Sequence, residues 1–180
     1  MRNSAGPLSL RGMTHAALFG ALTALGAYIL LPVPPVPITL QTLFLYLAAA
    51  VLGGALGAWS QIVYILLGVI GLPVFAGGKA GLGVLIGPTG GYLAGFIPAA
   101  WLTGRLIAAR ARPGFAWAAF AMALGTVVLY ATGVAQLAVV GKLGFSTALT
   151  VGVLPFLAGD VLKIGAAAGI YLKVRDHFHP

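Results

Sequence analysis

Asp160 and Lys163 stand in an apolar stretch, residues 150–173, that carries no other charge until Lys173. A charged side chain at the centre of a membrane helix costs about 2.5–3.5 kcal/mol on insertion scales, so one that persists there defaults to a functional role. A spacing of three puts both residues on one helical face, where they partly neutralise each other. With a helix starting near Pro155 and a rise of about 1.5 Å per residue, the pair lies roughly 8–12 Å below the outer surface. That depth is screened from water yet reachable from outside. Two readings are open. One is a structural ion pair that clamps helices together. The other is a site for a polar solute, with Asp160 accepting from N–H groups and Lys163 donating to carboxylate or carbonyl oxygens.

The remaining polar groups in apolar surroundings are few: Gln41, Gln61 and Gln136, with Thr39, Thr42, Ser60, Thr126 and Thr132. Each alone reads as an interhelical hydrogen bond. Thr39 and Gln41 stand apart because they follow a Pro-rich turn on the outer side, near the expected level of Asp160. Residues 73–91 hold seven glycines in nineteen positions, together with Phe75, Leu82, Val84, Leu85 and Ile86. Such a backbone is flexible or makes close approaches, and its apolar side chains must fold down onto something. A lid over a cavity and a re-entrant plug without a ligand both fit.

The elements that position these groups follow from composition. The chain has 180 residues, 61% hydrophobic and 7% charged, with 10 Lys+Arg against 2 Asp+Glu and no cysteine. Soluble domains carry about 25% charged residues, so lipid must cover much of this surface. A soluble enzyme, a disordered tail and a disulfide scaffold are excluded. The net charge of +8 does not point to nucleic acid, because the basic residues are spread along flanks rather than gathered on one face. The expectation is an all-α membrane protein, a six-helix transmembrane bundle forming a single integral domain over residues 1–180.

From Gly12 to Gly78 there are 67 residues without Asp, Glu, Lys or Arg. A crossing needs about 20 apolar residues, so three spans fit, near 13–31, 38–56 and 58–72. They are separated by Pro32-Val33-Pro34-Pro35-Val36-Pro37, which no helix can traverse, and by the small-residue cluster at 53–57. Further spans are expected near 89–108, 115–140 and 150–173, with the Gly-rich loop between the third and fourth. With the N-terminus cytoplasmic, seven basic residues (Arg2, Arg11, Arg105, Arg110, Arg112, Lys173, Arg175) collect on the cytoplasmic side and two, Lys79 and Lys142, on the other. That asymmetry places both termini in the cytoplasm. Reading the first span as a cleaved signal sequence would leave five spans and spoil the placement.

Along the first span, Ala16, Gly20 and Ala24 form one small-residue stripe and Ala17 and Ala21 another. Such stripes let helices approach closely in lipid, either inside the bundle or against a partner protein. His15, His177 and His179 sit at the cytoplasmic margins and share no metal geometry, so no metal or cofactor is expected. Gly141-Lys142 lacks the rest of a phosphate-binding loop. Asp160 is the single carboxylate expected within the membrane, so neither a proton relay nor a catalytic pair is at hand. The pattern is that of a binding subunit without its own motor, and not of an enzyme.

Four blocks, in order, resemble the BioY family: Pro34-Pro35-Val36-Pro37-Ile38-Thr39-Leu40-Gln41, Gly68-Val69-Ile70-Gly71-Leu72-Pro73-Val74-Phe75, Gly87-Pro88-Thr89-Gly90-Gly91-Tyr92, and Leu154-Pro155-Phe156 leading to Asp160-x-x-Lys163. The resemblance covers nearly the whole chain. It implies the biotin-capturing subunit of an energy-coupling factor (ECF) transporter in a bacterial plasma membrane, with a Gly-rich lid over a vitamin site near the outer surface. It also implies partners: a membrane scaffold protein coupled to two ATPases, docking on the small-residue face Ala16, Ala17, Gly20, Ala21 and Ala24, with self-association left open. Biotin itself suits the residues. Asp160 can accept from its ureido N–H groups and Lys163 can donate to a ligand oxygen. Phe75 and Tyr92, with Trp59 as a further candidate, can wall the bicycle. Thr39, Gln41 and the backbone N–H groups of Gly90 and Gly91 can add hydrogen bonds. Lys79 occupies a lid position that is small or otherwise polar in many relatives, and its role is open. The rival readings are capture of another small vitamin and a structural subunit without ligand.

Overall fold

The computed structural model describes residues 9–178; Arg2 and His179, counted above, lie outside them. The described chain is an all-α bundle with one two-stranded ladder. Helix α1 (Leu10–Tyr28) is capped by Ser9, whose hydroxyl accepts from the Gly12 N–H at 3.1 Å. Strands β1 (Leu30–Leu31) and β2 (Ile38–Thr39) then pair antiparallel across the Pro-rich turn. Residues 38 and 39 were expected to open a helix, but here they complete that ladder, and the helix starts at Gln41.

Helix α2 (Gln41–Val69) is continuous by hydrogen bonding but doubled back at Gly53, whose φ of 81° and ψ of 173° are not helical. A straight helix would hold Gln41 and Tyr64 about 35 Å apart, yet Gln41 Nε2 donates to the Tyr64 hydroxyl at 2.5 Å. The two arms, 41–52 and 54–69, therefore form a tight antiparallel hairpin. The turn is confined to Gly53, because φ in that region is open to glycine at no steric cost. The rest of the 53–57 cluster, expected as loop, is helical and serves close packing. A Cβ on Gly57 would come within 2.8 Å of Ala49 Cα, and one on Gly54 within 2.6 Å of the Trp101 carbonyl oxygen.

Beyond the lid segment, which contains the short helix α3 (Leu82–Ile86), come α4 (Gly90–Ala108) and α5 (Phe115–Val140). The last expected helix is split. Helix α6 (Phe145–Gly152) stops before a 3₁₀ turn at Leu154–Phe156, and α7 (Leu157–Phe178) follows. Pro155 has no N–H to continue the α6 ladder, so the inward-facing helix begins at 157 rather than 150. Helix α1 packs on the α2 hairpin, the hairpin on α4, α4 on α5, and α7 closes against the hairpin and α5.

Among the described residues, three helical stretches are long and apolar enough to cross a membrane by length and composition: Gln41–Val69, Phe115–Val140 and Phe145–Asp176. The first is the folded hairpin and the last includes the broken α6–α7 run. Side chains such as Leu18, Leu66, Val127, Val161 and Leu162 project from the bundle uncovered, as a lipid-facing surface requires.

Candidate functional site

On α7 the buried positions are Asp160, Lys163, Ala167, Ala168 and Tyr171, a stripe of helical period, while Val161 and Leu162 face outward. The spacing of three thus turns the charged pair into the bundle. Lys163 Nζ lies 2.8 Å from Asp160 Oδ1 and donates to Thr42 Oγ1 at 3.2 Å. The Tyr130 hydroxyl donates to the other carboxylate oxygen, Oδ2. An ammonium has three donors and an ionised carboxylate about four acceptor positions. Each group therefore keeps hydrogen-bonding capacity after these contacts, and both line one cavity of about 710 Å³, counted out to its mouth.

The end of β2 and the first turn of α2 supply the polar wall. Thr39 Oγ1 donates to Gln41 Oε1 at 2.7 Å, Gln41 Nε2 donates to the Tyr64 hydroxyl, and that hydroxyl donates to the Val74 carbonyl at 3.2 Å. This relay runs from the Pro-rich turn to the lid, so Gln41 acts as a strut as well as a lining group. Phe75, 1% exposed, meets Tyr64 edge-on at 5.7 Å between centroids, and Phe96 stacks on the other side of Tyr64 at 6.3 Å. Tyr92 lines the cavity and is tethered by its hydroxyl to the Gly152 carbonyl at 2.8 Å. Leu129 and Phe156 complete an apolar waist.

The lid lies between α2 and α4. Its first part is a tight turn in which the Phe75 N–H donates to the Lys79 carbonyl at 3.0 Å and the Gly78 N–H to the Phe75 carbonyl at 2.9 Å. The Phe75 ring lies on Gly68, where any Cβ would overlap it. Its second part hangs from α5: Gln136 Nε2 donates to the Leu85 carbonyl at 2.7 Å and to the Gly87 carbonyl at 2.8 Å. Ala76, Lys79, Val84 and Thr89 line the cavity from this segment, while Leu82 and Ile86 face outward.

Of the residues singled out from sequence, Thr39, Gln41, Phe75, Tyr92, Asp160 and Lys163 all come together around the cavity. Gly90 and Gly91 do not line it. The Gly90 N–H donates to the Gly87 carbonyl; a Cβ on Gly90 would overlap the Leu85 carbonyl and then Gln136, and one on Gly91 the Thr132 carbonyl of α5. Thr89, one residue earlier, takes the lining position. Trp59 is not among the lining residues either. Sequence reasoning missed Tyr130 as a ligand of Asp160 and gave Thr42 only an interhelical role. The available signal was periodic. Thr42 and Tyr46, like Thr126 and Tyr130, are four apart on one helical face, and Tyr46 and Thr126 bond each other at 2.6 Å.

The expected docking stripe on α1 also divides. Ala16 and Gly20 are buried inside the bundle, and a Cβ on Gly20 would come within 2.9 Å of the Ser60 carbonyl. Ala24 packs partly buried against the core. Ala17 and Ala21 remain exposed on the outer face. One stripe is internal packing; the adjacent one is free surface.

An apolar bundle that encloses a small chamber, with a charged pair at its floor and aromatic walls, is a membrane protein built to hold a small, partly polar solute. Comparison with protein-family models matches the BioY family over residues 1–180. The chain belongs to the BioY family. Among its relatives, a biotin transporter of Thermotoga maritima is 42% identical over 166 residues, covering 92% of this chain and 96% of that one. A probable biotin transporter of Pyrococcus horikoshii is 40% identical over 170 residues, covering 94% and 99%. The fold matches the crystal structure of the S-component for biotin from an ECF-type ABC transporter, with a TM-score of 0.84 at 26% identity, over 93% of this chain and 92% of that chain.

Proposed function

We propose that this protein captures biotin from the outer side of the plasma membrane and delivers it inward, in concert with an ECF scaffold protein and two ATPase subunits. The observation that carries the reading is the Asp160–Lys163 pair on the cavity floor with donor and acceptor capacity to spare. A ureido ring presents two N–H donors and one carbonyl. The free acceptor positions of Asp160 match the former, and the remaining Lys163 donor matches the latter. The aromatic waist suits a fused apolar bicycle. A charge pair serving only to clamp helices needs no chamber beside it. The names of the relatives as biotin transporters support the same ligand here.

The Lys/Arg asymmetry supports cytoplasmic termini and a cavity opening outward. A phosphate-binding loop is missing from the sequence, which fits a protein powered by partners, and the structural neighbour comes from an ECF-type transporter. The exposed Ala17 and Ala21 on α1 offer the close-packing face for the scaffold.

Titration of the purified protein in detergent with biotin tests the site. Asp160→Asn is expected to weaken binding by about 2–5 kcal/mol, the cost of removing one partner of a buried charged hydrogen bond. Equal affinity in the two proteins overturns the assignment. Ala17→Trp is expected to abolish uptake into cells while leaving binding in detergent intact. Loss of binding instead would return that face to internal packing.

A further inference from the structure

Three formally charged side chains line the cavity: Asp160, Lys163 and Lys79. The first two sit at the floor and cancel. Lys79 stands on the lid, exposed at the mouth, and gives the cavity a net positive charge. No acidic side chain is available to offset it. The chain has two carboxylate side chains in all, Asp160 paired with Lys163 and Asp176 beside Arg175. The backbone of Lys79 is held in place. Its carbonyl accepts from Phe75 in the short lid turn, and Phe75 is itself wedged against Tyr64. The lid turn therefore fixes the backbone from which an exposed Lys79 side chain extends at the mouth, above an apolar waist and a floor whose two charges cancel.

We propose that Lys79 reads the anionic tail of the ligand, so the site selects a molecule with a neutral N–H and carbonyl head, an apolar middle and a carboxylate at the far end. This rests on the biotin reading and sharpens it. It assigns Lys163 to the ureido carbonyl at the floor and the carboxylate to the lid. Because Lys79 faces water, its attraction falls as salt screens it, whereas the buried floor contacts keep their strength.

The experiment titrates the purified protein in detergent with biotin and with biotinamide, its neutral primary amide, at low and high ionic strength. The wild type is expected to prefer biotin about tenfold, with the preference shrinking at high salt. In Lys79→Met that preference collapses to near one; in Lys79→Arg it persists. A Lys79→Met protein that weakens for both ligands and keeps the ratio overturns the inference, since that is the signature of a merely structural residue. Equal binding of both compounds by the wild type overturns it too, while leaving biotin capture standing. Binding of neither compound by the wild type overturns the biotin reading and this inference together.

Discussion

The molecule has a second large hollow, and the contrast between the two shows how the surroundings decide what a charge does. The candidate ligand cavity takes residues from one end of the bundle: Gln41, Tyr92 and Asp160. The other takes residues from the opposite ends of the same helices, Gly53, Gly104 and Arg175, with Arg110 and Arg112 from the α4–α5 connection, and measures about 1230 Å³. On α7 the two levels are separated by about 22 Å of helix. In the first hollow, Lys163 and Asp160 lie 2.8 Å apart with side chains 10% and 7% exposed. In the second, Arg175 and Asp176 are 3.7 Å apart and 28% and 85% exposed. Arg110 stacks on Trp117 at 3.8 Å, and Arg175 donates to the Pro113 carbonyl at 2.7 Å. There the charges are partly exposed and make only loose or single contacts. The carboxylate and ammonium at the other end are bonded to each other and to Tyr130 and Thr42, as buried polar groups must be.

Substitutions at the two ends test that contrast. Lys163→Met leaves Asp160 buried without its cation, so thermal unfolding in detergent should show a loss of about 3–5 kcal/mol, together with lost biotin binding. Adding Asp160→Asn to that variant should recover much of the stability and none of the binding. Full recovery of binding would show the pair to be scaffolding. Tyr130→Phe removes one hydrogen bond to the carboxylate, worth about 1.5–3 kcal/mol for a charged acceptor, and should weaken biotin binding by at least tenfold in the same titration. Arg112→Gln changes an exposed position with none of the contacts of Arg110 and Arg175, and stability should shift by no more than about 0.5 kcal/mol. A large loss there would mean that the basic hollow is as tightly coupled as the polar floor.

Much of this was legible in the sequence, for reasons that explain the exceptions. Charge in an apolar run stands out, so Asp160 and Lys163 announce themselves. Prolines and glycines mark the breaks, although the composition at 53–57 could not say that one residue would make the whole turn. Tyr130 hid because a tyrosine in a membrane protein reads first as an interfacial anchor. Its bond to Asp160 needs two helices thirty residues apart to be brought face to face. The α1 stripes show the same limit. Ala16 and Ala17 differ by about 100° around the helix axis, and spacing alone does not tell which direction the bundle occupies. Gly90 and Gly91 fell in a recognisable motif, but they serve close backbone approaches, to Leu85 of the lid and to α5, and it is Thr89 that lines the cavity.

The seat of Phe75 on Gly68 carries a practical consequence. The ring rests where the smallest alkyl branch would need to go, so an alanine at that position would work as a wedge under the cover. Phe75 would have to leave its seat beside Tyr64, and the cover over the chamber would shift through the gain of a single methyl group.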